Sequence, residues 1–220
     1  MTNDQQAQIE WKDGGIPVAT RFDDPYFSLE NGLEETRHVF LDGNDLPARL
    51  VSGFHVAELG FGTGLNMLAL ALIAEVPTRF TSFEAFPMVA ADIATALDAF
   101  PEARAIADPF LDAWAQGARQ FTVGQVQVEV VAGDARETLP TWQGKADAWF
   151  LDGFSPAKNP ELWGDDLLAE VGAHTVPNGT CATYTAAGFV RRGLQAAGFD
   201  ITRVSGFGRK RHMSVGRKRT

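Results

Sequence analysis

Two patterns of apolar and polar positions alternate along the chain. Short runs rich in β-branched and aromatic residues predict strands, and the segments between most of them are typical of helices. Seven strand-like runs follow one another at 54–57, 79–84, 126–131, 147–151, 179–184, 199–205 and 212–216. This order predicts an α/β, Rossmann-like fold with a mostly parallel seven-stranded sheet and helices on both faces. Only residues 206–211 separate the last two runs, which predicts one antiparallel strand.

The remaining segments complete this outline. Helices are predicted at 67–74, 88–100, 103–117, 136–139, 165–174 and 188–197. Residues 121–123 and the run 126–131 predict a hairpin whose second arm belongs to the core. The N-terminal part predicts a hairpin at 9–11 and 16–19 with a glycine turn at 13–15, an aromatic loop at 22–29 and a helix at 30–41, and Pro17 indicates an edge strand. We assign residues 1–50 to a small accessory layer and residues 51–220 to one compact domain.

A glycine-rich turn follows the first core strand. It reads E-L-G-F-G-T-G-L-N from Glu58 to Asn66, and a helix-forming segment comes next. Strand, glycine turn and helix open a nucleotide-binding unit, because glycine lets the backbone turn tightly and approach a ligand. A dinucleotide fingerprint would have its third glycine at Leu65, and the preceding carboxylate suits a cationic ligand without phosphate, such as S-adenosylmethionine. An ordinary tight turn and a solvated acid are the alternatives.

Acidic residues lie at the ends of four predicted strands: Glu58, Glu84, Asp134 and Asp152. Ligands in open α/β sheets bind outside the carboxyl ends of the strands, so all four acids are expected to face one crevice. Glu84 is placed to accept hydrogen bonds from ribose hydroxyls. Asp134 is placed to contact an adenine amino group, although it also suits a helix N-cap. Four acids in this order form the pattern of a class I methyltransferase.

The segment 152–156, D-G-F-S-P, has the layout of the acceptor motif of amino-methyltransferases. In this interpretation Asp152 faces the acceptor nitrogen and Phe154 stacks on the substrate base. A proline-containing turn with Phe154 buried is the alternative. The pKa of an alkylamine lies about 6.5 units above that of an exposed Asp, so an exposed Asp152 cannot act as the base. Either burial raises the pKa of Asp152 and lowers that of the amine, or the amine loses its proton on binding and Asp152 only orients it. We expect orientation.

Composition restricts the class of protein. Of the 220 residues, 45% are apolar and 21% charged, which is typical of a soluble globular chain. The longest apolar stretch is too short to cross a bilayer, and the polar N-terminus lacks the apolar segment of a signal peptide, so no membrane association is expected. Cys181 is the single cysteine, which favours a reducing, cytoplasmic location. No Cys and His spacing suggests a metal site.

The net charge of −9 is unevenly distributed. Residues 186–220 carry nine Lys or Arg and one acid, which leaves ten basic and 27 acidic residues in the first 185. Such asymmetry indicates a nucleic-acid-binding face near the C-terminus. A basic tail that keeps the protein in solution is the alternative.

Longer segments resemble one known family. They are 22–41, 83–87, 151–163, 187–194 and 206–213. Together with the four acids they resemble the methyltransferase domain of the MnmC family, class I S-adenosylmethionine-dependent enzymes that form 5-methylaminomethyl-2-thiouridine in tRNA. The similarity extends over nearly the whole chain. An FAD-dependent oxidase domain follows in bifunctional members. Here we expect the methyltransferase half alone, without FAD or a metal, and with a separate enzyme that supplies the amine.

The resemblance implies methyl transfer to the exocyclic amine of 5-aminomethyl-(2-thio)uridine at the wobble position of a tRNA anticodon stem-loop. It implies catalytic roles for Asp152 and Phe154. The residues expected to bind S-adenosylmethionine are Glu58, Gly60, Phe61, Gly62, Thr63, Gly64, Asn66, Glu84, Asp134 and Asp152. Those expected to contact tRNA are Lys158, Asn159, Arg191, Arg192, Arg209, Lys210 and Arg211.

Three other functions fit parts of the pattern. A class I transferase acting on a small-molecule amine would keep the fold and leave the basic segment unused. A nicotinamide-dependent oxidoreductase conflicts with Leu65 and with the lack of a catalytic His or Tyr–Lys pair in the later strands. A non-catalytic nucleoside-binding module conflicts with the complete D-G-F-S-P segment.

Overall fold

The computed structural model describes residues 6–12, 15–28 and 31–220. The predicted glycine turn at 13–15 and the predicted start of a helix at residue 30 fall wholly or partly outside the described residues. The strands are β1 (Ile9–Lys12), β2 (Ile16–Ala19), β3 (Asp24–Pro25), β4 (His55–Leu59), β5 (Thr78–Glu84), β6 (Gln120–Val123), β7 (Val126–Ala132), β8 (Ala146–Leu151), β9 (Thr175–Thr183), β10 (Phe199–Ser205) and β11 (His212–Lys218). The α-helices are α1 (Gly32–Thr36), α2 (Leu65–Ile73), α3 (Ala90–Leu97), α4 (Pro101–Arg104), α5 (Asp108–Ala115), α6 (Ala135–Thr138), α7 (Asp165–Ala173) and α8 (Gly188–Ala196).

The main sheet confirms the α/β, Rossmann-like class and corrects the strand count. Its order is β10-β11-β9-β8-β4-β5-β7-β6, so it has eight strands rather than seven. The strands β4, β5, β7, β8 and β9 are mutually parallel, and β11 is antiparallel to both of its neighbours, as predicted. The additional strand is β6, which is antiparallel to β7. It is the first arm of the predicted hairpin, and it joins the edge of the sheet instead of remaining outside it.

A second, three-stranded antiparallel sheet has the order β1-β2-β3. The prediction that Pro17 marks an edge strand is wrong, because β2 is the middle strand. Pro17 is paired with Trp11 of β1. On the side that faces β3, the Pro17 carbonyl accepts a hydrogen bond from the Tyr26 N–H at 3.1 Å. The missing N–H of proline is therefore not required on the side facing β3.

One predicted helix is shorter than expected because of proline. The helix predicted at 103–117 begins only at Asp108, and Pro109 lies in its first turn. Proline fits a first turn, where its missing N–H costs no intrahelical bond, but not a helix interior. Residues 101–104 form the separate helix α4. The helix predicted at 88–100 spans only α3, and that predicted at 30–41 divides into α1 and a π-helical turn, Arg37–Leu41.

Both faces of the main sheet are covered by hydrophobic clusters. One contains Met67, Phe80 and Phe110 together with Leu33 and Phe40 of the N-terminal layer. The other is built around large buried side chains that include Trp149, Leu168 and Phe199. The described part of the N-terminal layer thus contributes to the core of the main sheet, and the predicted division at residue 50 stays a prediction. None of the helices in the described ranges combines the length and the apolar character needed to cross a membrane.

The carboxyl ends of the parallel strands meet at one edge of the sheet. The loops after β4, β5, β7, β8 and β9 all leave from that edge. Because β11 is antiparallel to both β9 and β10, the strand β10 has the direction of the parallel strands. The basic loop 206–211 therefore lies at the same edge as the glycine turn.

We expect Gly64→Ala to destabilise the protein more than Gly53→Ala. Both glycines have positive φ, +74° and +84°, so alanine costs about 1 to 2 kcal/mol at either position. A Cβ at Gly64 would also lie 3.0 Å from the Phe110 ring and 3.1 Å from the Phe61 ring, whereas nothing lies within 4 Å at Gly53. We expect a further loss of about 1 to 3 kcal/mol for Gly64→Ala, measured by urea unfolding. Equal losses in the two variants would contradict tight packing at this turn.

Candidate functional site

A cavity of about 880 Å³ opens at the carboxyl edge of the sheet. Its walls come from the loops after β4, β5, β7 and β8 and from the N-terminal layer between Arg21 and Phe40. Ligands of open α/β sheets bind at this edge. The cavity is therefore the candidate functional site, and the N-terminal layer forms part of it.

Glycine is required where the turn after β4 approaches its neighbours. Gly60 and Gly62 have positive φ, +83° and +55°. A Cβ on Gly60 would lie 3.2 Å from the Cα of Gly153, and one on Gly62 would lie 3.3 Å from the Tyr26 ring. Gly60, Phe61, Gly62 and Thr63 line the cavity, whereas Gly64 lies behind it against the rings of Phe61 and Phe110.

Glu84 is held at the cavity wall by backbone N–H groups. Its carboxylate accepts hydrogen bonds from the N–H of Gly62 at 2.9 Å and of Phe86 at 2.7 Å. Burial raises the pKa of Glu84, and the backbone N–H groups act in the opposite direction. A carboxylate offers about four acceptor positions, so ribose hydroxyls can still bind to it.

Asp134 caps a helix and lines the cavity. Its side chain accepts from the Arg136 N–H at 2.9 Å at the start of α6, and the Arg136 guanidinium binds both carboxylate oxygens at 2.5 to 3.0 Å. These hydrogen bonds hold the pKa of Asp134 below its usual value. The N-cap alternative is therefore present in the structure, while contact with an adenine amino group stays a prediction.

The structure places Glu58 behind the cavity wall and corrects the expectation that all four acids face one crevice. Glu58 is fully buried within β4 and does not line the cavity. Its two oxygens accept hydrogen bonds from the Asn66 amide at 2.8 Å and the Ser82 hydroxyl at 2.6 Å. Burial raises its pKa well above the usual range. Glu58 therefore has no exposed atom that a ligand in the cavity could contact.

Asn66 connects Glu58 to Asp152. The amide nitrogen of Asn66 also donates to Asp152 Oδ2 at 2.7 Å, and its oxygen accepts from the Thr36 hydroxyl at 2.7 Å. Asn66 and Asp152 both line the cavity. Burial raises the pKa of Asp152 to about 6, against the opposing effects of the Asn66 amide and of Lys210. Asp152 is therefore a fixed carboxylate at the cavity surface that ionises near neutral pH.

Phe154 belongs to an aromatic wall. Its ring stacks on Phe22 at 4.6 Å between centroids and meets the edge of Tyr26 at 5.1 Å. Its carbonyl accepts a hydrogen bond from the Trp163 indole at 2.9 Å. The Phe154 ring is partly buried, lines the cavity and already has two aromatic neighbours from the N-terminal layer. Stacking on a substrate base stays a prediction.

The predicted tRNA-contacting residues fall into different places. Lys210 and Asn159 line the cavity, whereas Lys158 is held outside it by the carbonyl of Asp23 and the carboxylate of Asp24, the latter at 3.5 Å. Arg192, Arg209 and Arg211 are exposed, and Arg191 is partly buried with its Nε donating to the Ala186 carbonyl at 3.3 Å.

Sequence reasoning missed the cavity residues of the N-terminal layer and of β9. Asp24 accepts a hydrogen bond from the Ser155 N–H at 2.8 Å, which joins the N-terminal layer to the acceptor segment. Glu35 and Thr36 of α1 and Tyr184 after β9 also line the cavity. The similarity of segment 22–41 to the methyltransferase family was the one sequence feature that could have indicated these residues. From the sequence alone, this segment is instead assigned to an accessory layer.

The charges around the cavity suit a cationic nucleoside. The described residues that line it include seven acids and three cations, and two of the cations, Arg136 and Lys210, are paired with acids of the same lining. An excess of carboxylates disfavours a pyrophosphate and favours a ligand with positive charge. The volume, the two cavity-lining glycines of the turn after β4 and the Glu84 carboxylate fit S-adenosylmethionine.

The comparisons with known proteins agree with this interpretation. A family model of S-adenosyl-L-methionine-dependent methyltransferases matches residues 101–219, more than half of the chain. The tRNA 5-methylaminomethyl-2-thiouridine biosynthesis bifunctional protein MnmC of Aeromonas hydrophila is 42% identical over 239 residues, which cover 99% of this chain and 36% of that protein. The MnmC protein of Ectopseudomonas mendocina is 45% identical over 236 residues, 98% of this chain and 35% of that protein.

The resemblance to the MnmC methyltransferase domain is thus confirmed, and the chain spans about a third of the length of these curated relatives. The crystal structure of MnmC2 from Aquifex aeolicus has a TM-score of 0.74 to this chain at 23% identity, covering 98% of this chain and 71% of that one. At this level of identity the likeness supports the fold alone.

We expect Asp152→Asn to stabilise the protein at pH 8 and not at pH 4. Burial raises the Asp152 pKa to about 6, so wild-type stability falls as the pH rises from about 4 to 6 and the cost remains above that range. The neutral asparagine removes a cost of about 1 to 3 kcal/mol at pH 8. Thermal unfolding at several pH values measures this difference.

Asp134→Asn is the matched control, with the opposite sign. The Arg136 guanidinium lowers the pKa of Asp134, so this substitution should destabilise the protein at pH 8, and the effect should fade as the pH falls through the lowered pKa. A gain in stability from Asp152→Asn that is equal at pH 4 and pH 8 would contradict a buried, ionised Asp152.

Proposed function

Because this chain belongs to a family of S-adenosyl-L-methionine-dependent methyltransferases, we propose that it methylates the exocyclic amine of 5-aminomethyl-(2-thio)uridine at the wobble position of tRNA. The observation that carries the proposal is the Asp152 carboxylate, fixed by Asn66 at the cavity surface beside the Phe154 ring. The name of the relatives, tRNA 5-methylaminomethyl-2-thiouridine biosynthesis bifunctional protein, supports the same substrate.

Binding of S-adenosylmethionine is proposed along the wall formed by the glycine turn, Glu84 and Asp134. When bound, S-adenosylmethionine supplies an electrophilic methyl group. Glu84 is held by two backbone N–H groups and would accept hydrogen bonds from the ribose hydroxyls. Gly60, Phe61, Gly62, Thr63 and Asn66 would line the remainder of the ligand, and Glu58 would act from behind by fixing Asn66.

The proposed role of Asp152 is to orient the acceptor amine. With a pKa of about 6, Asp152 lies about four units below an alkylamine of about 10.4, a gap of about 6 kcal/mol for proton transfer. The carboxylate is therefore a poor base for the ammonium form, which would lose its proton to solvent before methyl transfer, and a good hydrogen-bond acceptor for the resulting amine. Alignment of the nitrogen, held between Asp152 and the aromatic wall, would supply most of the acceleration.

Binding of the anticodon stem-loop is proposed at the basic rim, which we define as Arg191, Arg192, Arg209, Lys210 and Arg211. The loop 206–211 and the start of α8 bring these cations to the cavity side of the sheet. Phosphate contacts would position the RNA, and the splayed wobble base would enter the cavity. A separate enzyme that supplies the aminomethyl group, and a cytoplasmic location, belong to the same proposal.

The decisive test is incubation with labelled S-adenosylmethionine and tRNA that carries 5-aminomethyluridine, followed by nucleoside analysis. We expect labelled 5-methylaminomethyluridine from the wild type. Asp152→Ala should bind S-adenosylmethionine with unchanged affinity in calorimetry and lose about a hundredfold or more in turnover, because the amine is no longer aligned.

Asp112→Ala, at an exposed acid of α5, is the matched control and should retain full turnover. Methylation of free alkylamines without any dependence on tRNA would instead support a small-molecule transferase, and unchanged turnover in Asp152→Ala would remove this residue from the reaction.

We expect tRNA affinity to fall steeply with salt and to depend on the basic rim. Each phosphate contact contributes about 0.7 to 0.9 to the slope of log affinity against log salt. Replacing Arg192 and Arg211 together by Gln should therefore reduce the slope by about 1.4 to 1.8, as measured by filter binding. Arg79→Gln is the control, since Arg79 is an exposed cation near the amino end of β5, at the opposite edge of the sheet. A tRNA affinity that does not change with salt concentration would contradict the proposed interface.

A further inference from the structure

The ammonium group of Lys210 occupies a small polar site inside the cavity mouth. Its Nζ lies 2.7 Å from Glu35 Oε1 and 4.2 Å from the centroid of the Tyr184 ring. A carboxylate on one side and an aromatic face on the other is the arrangement that recognises alkylammonium ions in proteins. The site thus matches a primary ammonium ion on a short carbon chain.

The receptor groups are fixed, whereas their occupant is flexible. The Glu35 side chain is only 12% exposed, and the Tyr184 hydroxyl donates to the Gly153 carbonyl at 2.8 Å, which fixes the ring beside the acceptor segment. Lys210 is 46% exposed and comes from the loop 206–211, on a side chain with four rotatable bonds. An exposed, flexible ammonium can be exchanged for another one at low cost.

This site belongs to the acceptor end of the cavity. Glu35, Tyr184, Lys210 and Asp152 all line the same cavity. The charges of Lys210 and Glu35 both act on the pKa of Asp152, the first lowering it and the second raising it, so these groups share one electrostatic environment. The acceptor nitrogen, held as an ammonium ion by Glu35 and Tyr184, would therefore be close to the Asp152 carboxylate, which orients the same nitrogen after it has lost its proton.

We propose that Glu35 and the face of Tyr184 form the docking site for the alkylammonium group of the acceptor, and that Lys210 occupies this site until the substrate displaces it. The inference rests on the proposed function, whose acceptor carries such a group. Glu35 is then a specificity-determining residue that distinguishes an aminomethyl group from a neutral group of the same size. The displaced Lys210 ammonium joins the basic rim and is free to contact a phosphate.

The test compares two anticodon stem-loop RNAs that differ in one group. One carries 5-aminomethyluridine and the other 5-hydroxymethyluridine at the wobble position, so their phosphate contacts are the same. The readout is the ratio of their dissociation constants, measured by fluorescence anisotropy. Contacts outside the docking site contribute equally to both dissociation constants and cancel in this ratio. The contribution of the charged amine remains.

Glu35→Gln should reduce the preference for the aminomethyl RNA about ten- to a hundredfold, because a charge-assisted hydrogen bond is lost. Lys210→Met should increase the preference, because the competing ammonium is removed. Glu34→Gln is the matched control: Glu34 lies next to Glu35 on α1, is paired with Arg37 at 2.5 Å, and should leave the ratio unchanged.

An ion pair that only stabilises the fold predicts a different result. Breaking it from either side would then weaken both RNAs alike and leave the ratio at its wild-type value, which would overturn the inference. A loss of S-adenosylmethionine affinity in Glu35→Gln would also overturn it, since Glu35 would then serve the methyl donor. Should Glu35→Gln fail to fold, Lys210→Met decides alone, because its ratio must rise.

The two proposals fail in distinguishable ways. A wild-type protein that does not methylate tRNA carrying 5-aminomethyluridine contradicts the proposed function. A wild-type protein that does so, with equal ratios in wild type, Glu35→Gln and Lys210→Met, contradicts only the docking site.

Discussion

A single amide group, that of Asn66, separates and holds two carboxylates at the centre of the molecule. Its nitrogen donates to Glu58 and to Asp152, and its oxygen accepts from Thr36. Among the side chains only Asn and Gln offer two N–H donors and an acceptor on one planar group. An aspartate at this position would add a third negative charge, and a leucine would leave all three partners without their hydrogen bond. The helix α1, the strand β4, the helix α2 and the loop after β8 are joined at this one residue.

Of the two carboxylates that Asn66 joins, only Asp152 presents its negative charge at the cavity surface. Glu58 has no exposed surface, and its burial and the nearby Asp152 both raise its pKa. Asp152 reaches the cavity, and its pKa rises only to about 6. Pairs of acids whose environments push their pKa values apart take different roles. Glu58 therefore acts on the position of Asn66, while Asp152 is the carboxylate that lines the cavity.

The rule that ligands bind at the carboxyl ends of parallel strands predicted the correct edge of the sheet and the acidic residues near it. It did not predict the direction of each side chain. Asp152 follows the last residue of β8 and reaches the cavity, whereas Glu58 lies within the ladder of β4, opposite Ser82 and Phe150, and points into the protein. One residue along a strand reverses the direction of a side chain, and the sequence alone does not define where β4 ends. The contact of Asp24 with Ser155 joins segments 131 residues apart, and local patterns contain no signal for it.

The uneven charge of the chain reconciles an acidic protein with the proposed RNA substrate. The cavity lining is rich in carboxylates, while the rim above it carries Arg191, Arg192, Arg209, Lys210 and Arg211. Exposed charges act over about 8 to 10 Å at physiological salt, so the net charge of −9 is a poor guide to what either region attracts. In the proposed function, phosphates bind at the rim and the ammonium ion binds in the cavity. Lys210 belongs to both regions, and in the proposed docking site its position decides whether the cavity presents a free carboxylate to an incoming amine.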